Sequence, residues 1–284
     1  MKRVLITGAN SYIGRSFMNY VAMDSEFIVE ELDVRTDKWE VFDFSNFDII
    51  FHVAAIVHKN EKNVSSELYS IVNRDLPLKI AKKAKNSGVA QFIFLSSMSV
   101  YSDQDEVISK DTETIPSSLY GKSKLEAEKM LRLIESETFK IAILRPPMVY
   151  GPDAVGNYRR LSKLASVLPF FIKVNNQRSM IFIGNLCEFV KKVIAYSASG
   201  LFFPQNSEYI CTSEMFQEIR NIHGKKTLQI KLSQHLVNLF YVVKPFKKMF
   251  SNLVYDQSLS KYEFNYDIYD FKSSLVLSEK KEIR

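Results

Sequence analysis

The chain has 284 residues, 46% hydrophobic and 25% charged, the composition of a folded globular protein of one large domain or two closely joined ones. Those proportions exclude a disordered, collagen-like or low-complexity chain, and two cysteines, Cys187 and Cys211, exclude a disulfide framework and suit a reducing compartment. Lysine and arginine total 38 against 32 acids, a net charge of +6 that is spread along the chain and mixed in sign, so it speaks for solubility and not for nucleic acid.

Met1-Lys2-Arg3 runs straight into Val4-Leu5-Ile6-Thr7, so no secretory signal is expected. The longest apolar stretch near the C-terminus, residues 236–243, is interrupted by Asn238 and falls far short of the ~20 residues that cross a bilayer. A cytoplasmic protein with at most peripheral membrane contact is expected. The segment Lys244-Pro245-Phe246-Lys247-Lys248 is the place for such contact, although a solvated face explains it better.

The first half alternates strands and helices. Residues 3–7 form a short apolar strand, 8–14 a turn, and the segment through Phe17, Tyr20 and Val21 a helix. Strands follow at 27–32 and 48–53. Residues 76–84 form a basic amphipathic helix with Ile80, Ala81 and Ala84 inward, ended by Gly88. A strand at 91–95 ends in Ser96-Ser97, a helix spans 119–134, and a strand at 140–144 is stopped by Pro146-Pro147. Near-continuous apolar strands separated by helices predict an α/β fold with a Rossmann-type doubly wound parallel sheet. Residues 1–155 are expected to form this NAD(P)-binding domain, with 179–203 returning to it, and 156–284 to form mostly a smaller C-terminal substrate lobe. Helices are expected there at 157–167, 185–196 and 213–222, the last with Thr212 or Ser213 as N-cap and Gly224 beyond its end.

Thr7-Gly8-Ala9-Asn10-Ser11-Tyr12-Ile13-Gly14 joins the first strand to the first helix. In such a loop the first glycine makes the tight turn, a middle one admits a pyrophosphate, and the last permits close helix–strand packing. Gly8 and Gly14 hold the outer places, while Ser11 stands at the middle one and offers a hydroxyl. An acid some 20 residues on is expected to hold a ribose, and Asp33 is the candidate. Only fifteen residues separate Asp33 from Asp48, too few for a further strand, helix and strand, so Asp33 could instead end the adenine-side strand. A carboxylate there favours NAD, whereas Arg35 would suit the 2′-phosphate of NADP; NAD is slightly favoured.

Tyr120 and Lys124 are four apart and share a helical face. A phenol of pKa ~10 that must work near neutrality needs about three pKa units, or ~4 kcal/mol, of stabilisation, which a lysine one turn away helps to supply. Ser97 at a strand's carboxyl end would hold the same substrate oxygen.

Together with His52-Val53-Ala54-Ala55, Val72-Asn73, Phe94-Leu95-Ser96-Ser97-Met98-Ser99-Val100-Tyr101 and Leu144-Arg145-Pro146, these motifs resemble the extended short-chain dehydrogenase/reductases of the NAD-dependent epimerase/dehydratase family, over roughly the first 225 residues. The resemblance implies Tyr120 as general acid/base, Lys124 as its tuner and ribose contact, and Ser97 as hydroxyl partner. Asn73 would be a scaffold residue and Pro147 would lie beside the nicotinamide. Contacts to NAD or NADP are expected from Gly8, Asn10, Ser11, Tyr12, Ile13, Gly14, Asp33, Ala54, Ala55, Asn73, Ser96, Tyr120, Lys124 and Pro147. The implied substrate is a nucleotide sugar, commonly a UDP-hexose or hexosamine in cell-surface polysaccharide precursor synthesis, contacted by Ser97, Asn157, Arg159 and Arg178. The family's second arginine clamp is not visible, since residues 225–284 contain only Arg284. This tilts the expectation toward a 4-ketoreductase, with a UDP-hexose 4-epimerase as the alternative. A non-catalytic NAD(P)-binding sensor or scaffold is the competing class, and a homodimer is compatible with either. A serine hydrolase is excluded for want of a G-x-S-x-G elbow. His52 reads as a core histidine; His58, His223 and His235 lack metal spacing, so no metal is expected.

Overall fold

Strands buried on both faces must be apolar throughout, and four of the first unit's strands meet that condition almost without exception. The computed structural model describes residues 1–57, 65–231 and 250–280. The chain divides into two compact units: Met1–Ser102, Glu113–Pro146 and Leu186–Pro204 make the first, and Asp103–Thr112, Pro147–Asn185 and Gln205–Arg284 the second.

The first unit holds a six-stranded sheet of β1 (Lys2–Thr7), β2 (Phe27–Leu32), β3 (Ile49–His52), β4 (Gln91–Leu95), β6 (Lys140–Leu144) and β10 (Gly200–Phe202). Every pairing is parallel, in the order β10-β6-β4-β3-β1-β2. This is a Rossmann-type doubly wound sheet, and the strand order reverses at β1, whose carboxyl end is where such sheets bind ligands. Helix α1 (Tyr12–Tyr20) follows β1. Helix α2 (Ser66–Tyr69) runs through a π-helical turn, Ser70–Asp75, into α3 (Leu76–Asn86), and α4 (Leu119–Arg132) precedes β6. One face of the sheet is sealed by Ile80, Ala81 and Ala84 of α3 and Ala127 and Leu131 of α4, packed on Leu5, Ile50, Phe92 and Ile141.

Between β2 and β3 the chain makes only a 3₁₀ turn, Asp37–Glu40, whose Trp39 joins Phe44 and Phe47 in the same core. The short interval leaves no room for another strand, so β2 is the edge of the sheet.

Among its described residues the second unit has three parallel strand pairs: β5 (Val107–Ile108) with β12 (Val254–Tyr255), β7 (Met148–Tyr150) with β9 (Met180–Phe182), and β8 (Phe170–Lys173) with β11 (Leu228–Lys231). Its helices include α5 (Asn157–Val167), α7 (Thr212–Ile222) and α8 (Phe271–Glu279), and α6 (Ile183–Ala195) starts in the segment that closes at Asn185. Residues 147–155 and 179–185 group with this unit, and Leu186–Pro204 with the first. Helix α7 begins one residue earlier than expected. Its N-cap is Cys211, because the Thr212 hydroxyl is taken by Asn176 Nδ2 at 2.9 Å and the Ser213 hydroxyl by the Val174 carbonyl at 2.8 Å.

Among the described residues no helix is long and apolar enough to cross a membrane. The apolar stretch 236–243, the basic segment 244–248, His58, His235 and Arg284 lie outside the described residues.

Candidate active site

The turn after β1 is built by steric necessity. Gly8 adopts φ +124°, and a Cβ there would meet the Ala54 nitrogen at 2.7 Å. A Cβ on Gly14 would meet Ile6 Cγ2 at 2.8 Å, so this glycine lets α1 lie directly on β1. Asn10 takes the left-handed conformation, φ 64°, and its side-chain oxygen accepts from Arg15. Ser11, in the middle glycine's place, caps α1: its hydroxyl accepts from the Gly14 N–H at 3.1 Å. The serine hydroxyl is thus used inside the protein. Tyr12 and Ile13 open the helix half-buried. A glycine turn feeding a helix N-terminus is a ready site for an anion, and this turn fits a dinucleotide pyrophosphate.

Asp33 directly follows β2, beside the turn, since the Leu32 carbonyl accepts from the N–H groups of Gly8 and Ala9 at 3.0 and 3.2 Å. Its carboxylate is held by Arg35, with Nε–Oδ1 at 2.9 Å and Nη2–Oδ2 at 2.5 Å, and these contacts lower its pKa to about 2. Both side chains are open to solvent. Ala54 and Ala55 continue from β3 past the same turn, the Ala54 N–H donating to the Thr7 carbonyl at 3.0 Å. Asn73, fully buried, clamps the chain after them, accepting from the Ile56 N–H at 2.8 Å and donating to the Ser123 hydroxyl at 3.2 Å.

Ser97 caps a 3₁₀ turn after β4, accepting from the Ser99 N–H at 3.1 Å, and Tyr120 opens α4, capped by Ser118. The two hydroxyls meet: burial pushes the Tyr120 phenol up to about 12, and its hydrogen bond with Ser97 works against that rise. Lys124, one turn along α4, does not act on the phenol here. Its ammonium donates to the Leu95 carbonyl at 2.8 Å and lies 4.4 Å from the centre of the Phe94 ring. Burial lowers Lys124 to about 7, opposed by the charge of Glu128. In this arrangement the lysine is turned to the strand end, one helical turn from Tyr120.

Ser96 is buried, and its hydroxyl donates to Glu128 and not toward the glycine turn. Glu128 also pairs with Arg145, which reaches the Tyr101 hydroxyl at 2.6 Å. Glu128 escaped the sequence reading; its only signal there was a carboxylate one turn after Lys124 on the apolar face of α4. His52 is buried and neutral, its pKa lowered to about 3 by burial, with Nδ1 2.8 Å from the Thr7 hydroxyl. Its Nε2 has no partner among the described residues.

In the second unit, Asn157 and Arg159 open α5 and are exposed, and Pro147 is buried where that unit's segment begins. Arg178 stands just before β9, in bridges with Ile210 and Leu253, and its Nη1 donates to the Ser251 carbonyl at 2.9 Å. Burial disfavours its charge, and no acid among the described residues lies within ion-pair distance. A half-buried guanidinium with one carbonyl partner at Nη1 and no acid within ion-pair distance could take an anion. Among the described residues no cluster of histidine, cysteine and acid could hold a metal.

Comparison with known proteins matches residues 4–200 to the model of the NAD dependent epimerase/dehydratase family. The UDP-glucose 4-epimerase of Vibrio cholerae is 29% identical over 266 residues, which cover 84% of this chain and 81% of that protein. The crystal structure of UDP-glucuronic acid 4-epimerase from Bacillus cereus in complex with NAD superposes with a TM-score of 0.70 at 19% identity, covering 98% of this chain and 95% of that one. That of dTDP-4-dehydrorhamnose reductase from Bacillus anthracis str. Ames in complex with NADP gives 0.67 at 19% identity, covering 83% and 85%. At such identity the two structures attest the fold alone. The family match spans the glycine turn, the Ser97 strand end and the Tyr120–Lys124 turn of α4, and the chain belongs to the NAD-dependent epimerase/dehydratase family.

Proposed function

We propose that the chain is an NAD(P)-dependent enzyme acting at C4 of a hexose or hexosamine carried on a nucleoside diphosphate, and that it works as a 4-epimerase. The observation that carries this reading is the Ser97–Tyr120 hydroxyl pair at the carboxyl end of the sheet, with Lys124 one turn away. The bound nicotinamide would accept and return a hydride. The chain's own residues manage the proton. The Ser97 hydroxyl orients the sugar oxygen, and Tyr120, as the phenolate, takes its proton on oxidation and, as the phenol so formed, gives it back on reduction. A phenol near 12 works at neutral pH only when cationic charge approaches it, and Lys124 supplies that charge by leaving the Leu95 carbonyl. The Gly8–Gly14 turn would hold the pyrophosphate of NAD or NADP, and Arg178 the sugar's diphosphate through its planar guanidinium. The similarity to the Vibrio cholerae epimerase over most of both chains supports epimerisation.

A 4-ketoreductase is the second reading, favoured by one observation: residues 225–284 hold a single arginine, Arg284. A weakly clamped 4-keto sugar would leave before the hydride returned. The test is NMR of UDP-glucose, UDP-N-acetylglucosamine and a UDP-4-keto sugar with the pure protein. Interconversion at C4 with only catalytic NAD supports the epimerase. Stoichiometric consumption of reduced cofactor by the keto sugar alone establishes the reductase. Tight cofactor binding with turnover of none would favour a sensor or scaffold.

A further inference from the structure

Strands β8 and β11 pair in parallel with Phe170 opposite Leu228 and Ile172 opposite Ile230. Side chains two apart share one face of a strand, so these four form a wholly apolar face. The alternate residue Phe171 turns the other way, where it stacks on Phe216 at 4.0 Å and touches Phe250. That inner face is core. The outer face is open: Phe170 is 46%, Leu228 68% and Ile230 36% exposed. It continues onto the end of α5, where Val167 is 75% exposed, and the two segments are tied by the Leu228 N–H on the Pro169 carbonyl at 2.9 Å. A contiguous exposed patch of this kind marks an interaction surface.

The two described stretches of chain that build it, residues 154–187 and 219–231, contain no acid and expose seven lysines or arginines. The even spread read along the chain therefore conceals a local segregation. Lys163, Lys173 and Lys226 flank the face, as does Lys225, whose ammonium meets the Ser166 carbonyl at 2.7 Å.

We propose that this face docks on an anionic lipid bilayer. Phe170, Leu228 and Ile230 enter the boundary between headgroups and acyl chains, and the surrounding lysines meet the lipid phosphates. A second copy of the chain is disfavoured, because a two-fold contact would press the same lysines against their own copies. Nucleic acid would meet the lysines but gains nothing from aliphatic Leu228, Ile230 and Val167.

The test is sedimentation of the full chain with vesicles of phosphatidylcholine alone or mixed equally with phosphatidylglycerol, a readout that needs no turnover and so stands apart from the proposed reaction. Binding is expected to the mixed vesicles only, and to fall as salt rises. The Phe170→Ser/Leu228→Ser variant should lose about tenfold or more in binding, and Lys225→Glu/Lys226→Glu a comparable amount, with unchanged melting temperature and NAD(P) binding. No binding to anionic vesicles, or binding indifferent to both variants, overturns the proposal. So does light scattering that shows a dimer which the first variant dissociates, or an oligonucleotide bound through the same residues.

Discussion

Glu128 and Arg145 form an ion pair at 2.5 Å with side chains only 2% and 5% exposed, one helical turn beyond Lys124. The pair is finished by hydrogen bonds from Ser96 to the carboxylate and from the guanidinium to Tyr101. Such a pair contributes little against an apolar replacement, yet removing one partner leaves the other charge buried alone. Glu128→Ala should therefore lower unfolding free energy by ~3–5 kcal/mol in urea titrations. It should also lower the pKa of Lys124 further, since the Glu128 charge is what opposes its burial. A midpoint within error of the parent would show that Arg145 finds another partner.

The first unit was readable because its elements obey local rules. Residues 27–32, 91–95 and 140–144 are strands with the expected bounds: the last two are apolar runs behind a single polar residue, and the first, at the sheet edge, combines Phe27-Ile28-Val29 with Glu30-Glu31. In the second unit β5, β8, β11 and β12 are two to four residues long, and β8 and β11 are half exposed, so non-local pairing decides them and no sequence period announces them. The residue types of the candidate site were legible for the same reason as the first unit: strand ends and a helix turn fix Ser97, Tyr120 and Lys124. What each side chain does was not. Ser11 looked like a phosphate ligand and caps a helix, Ser96 looked like a cofactor contact and serves Glu128, and Glu128 meets Arg145 only because α4 and β6 pack together.

Tyr120 gives the direct test of the chemistry. Its phenol is buried and bonded to Ser97, so Tyr120→Phe removes one oxygen and leaves the ring's packing in place. The variant should fold and bind cofactor normally and lose on the order of 10²–10⁴ in kcat. Turnover near the parent's would remove Tyr120 from the mechanism.

Lys124 should make stability depend on pH in a distinctive direction. Its pKa is about 7 in the folded chain against 10.5 for an ordinary lysine, so between these values the unfolded chain binds the extra proton. Stability must then rise with pH across that window, and the full cost of burying the charge is present below it. The part of the rise owed to Lys124 between pH 7 and 9.5 is on the order of 3 kcal/mol. Urea unfolding of the parent and of Lys124→Met at both pH values isolates it: the stability of the variant relative to the parent should increase by that amount as pH falls from 9.5 to 7, because only the parent must bury the charge. Identical pH slopes would show that Lys124 keeps its ordinary pKa.

The Asp33–Arg35 pair should decide cofactor preference. Asp33 stands beside the glycine turn at the end of β2, where a carboxylate can accept from both ribose hydroxyls but repels a 2′-phosphate. Arg35, two residues on, could welcome that phosphate, and its guanidinium is occupied by Asp33 through Nε and Nη2. The parent is therefore expected to bind NAD more tightly than NADP. Asp33→Asn removes the repulsion and releases Arg35 in one step, so NADP should gain on the order of tenfold and NAD should lose a similar factor. Asp33→Asn/Arg35→Ala, which has neither charge, should bind the two nucleotides about equally. Calorimetric titration of both into the three proteins makes the comparison. Tighter NADP binding by the parent, or an Asp33→Asn variant whose preference does not move, would place the ribose away from Asp33.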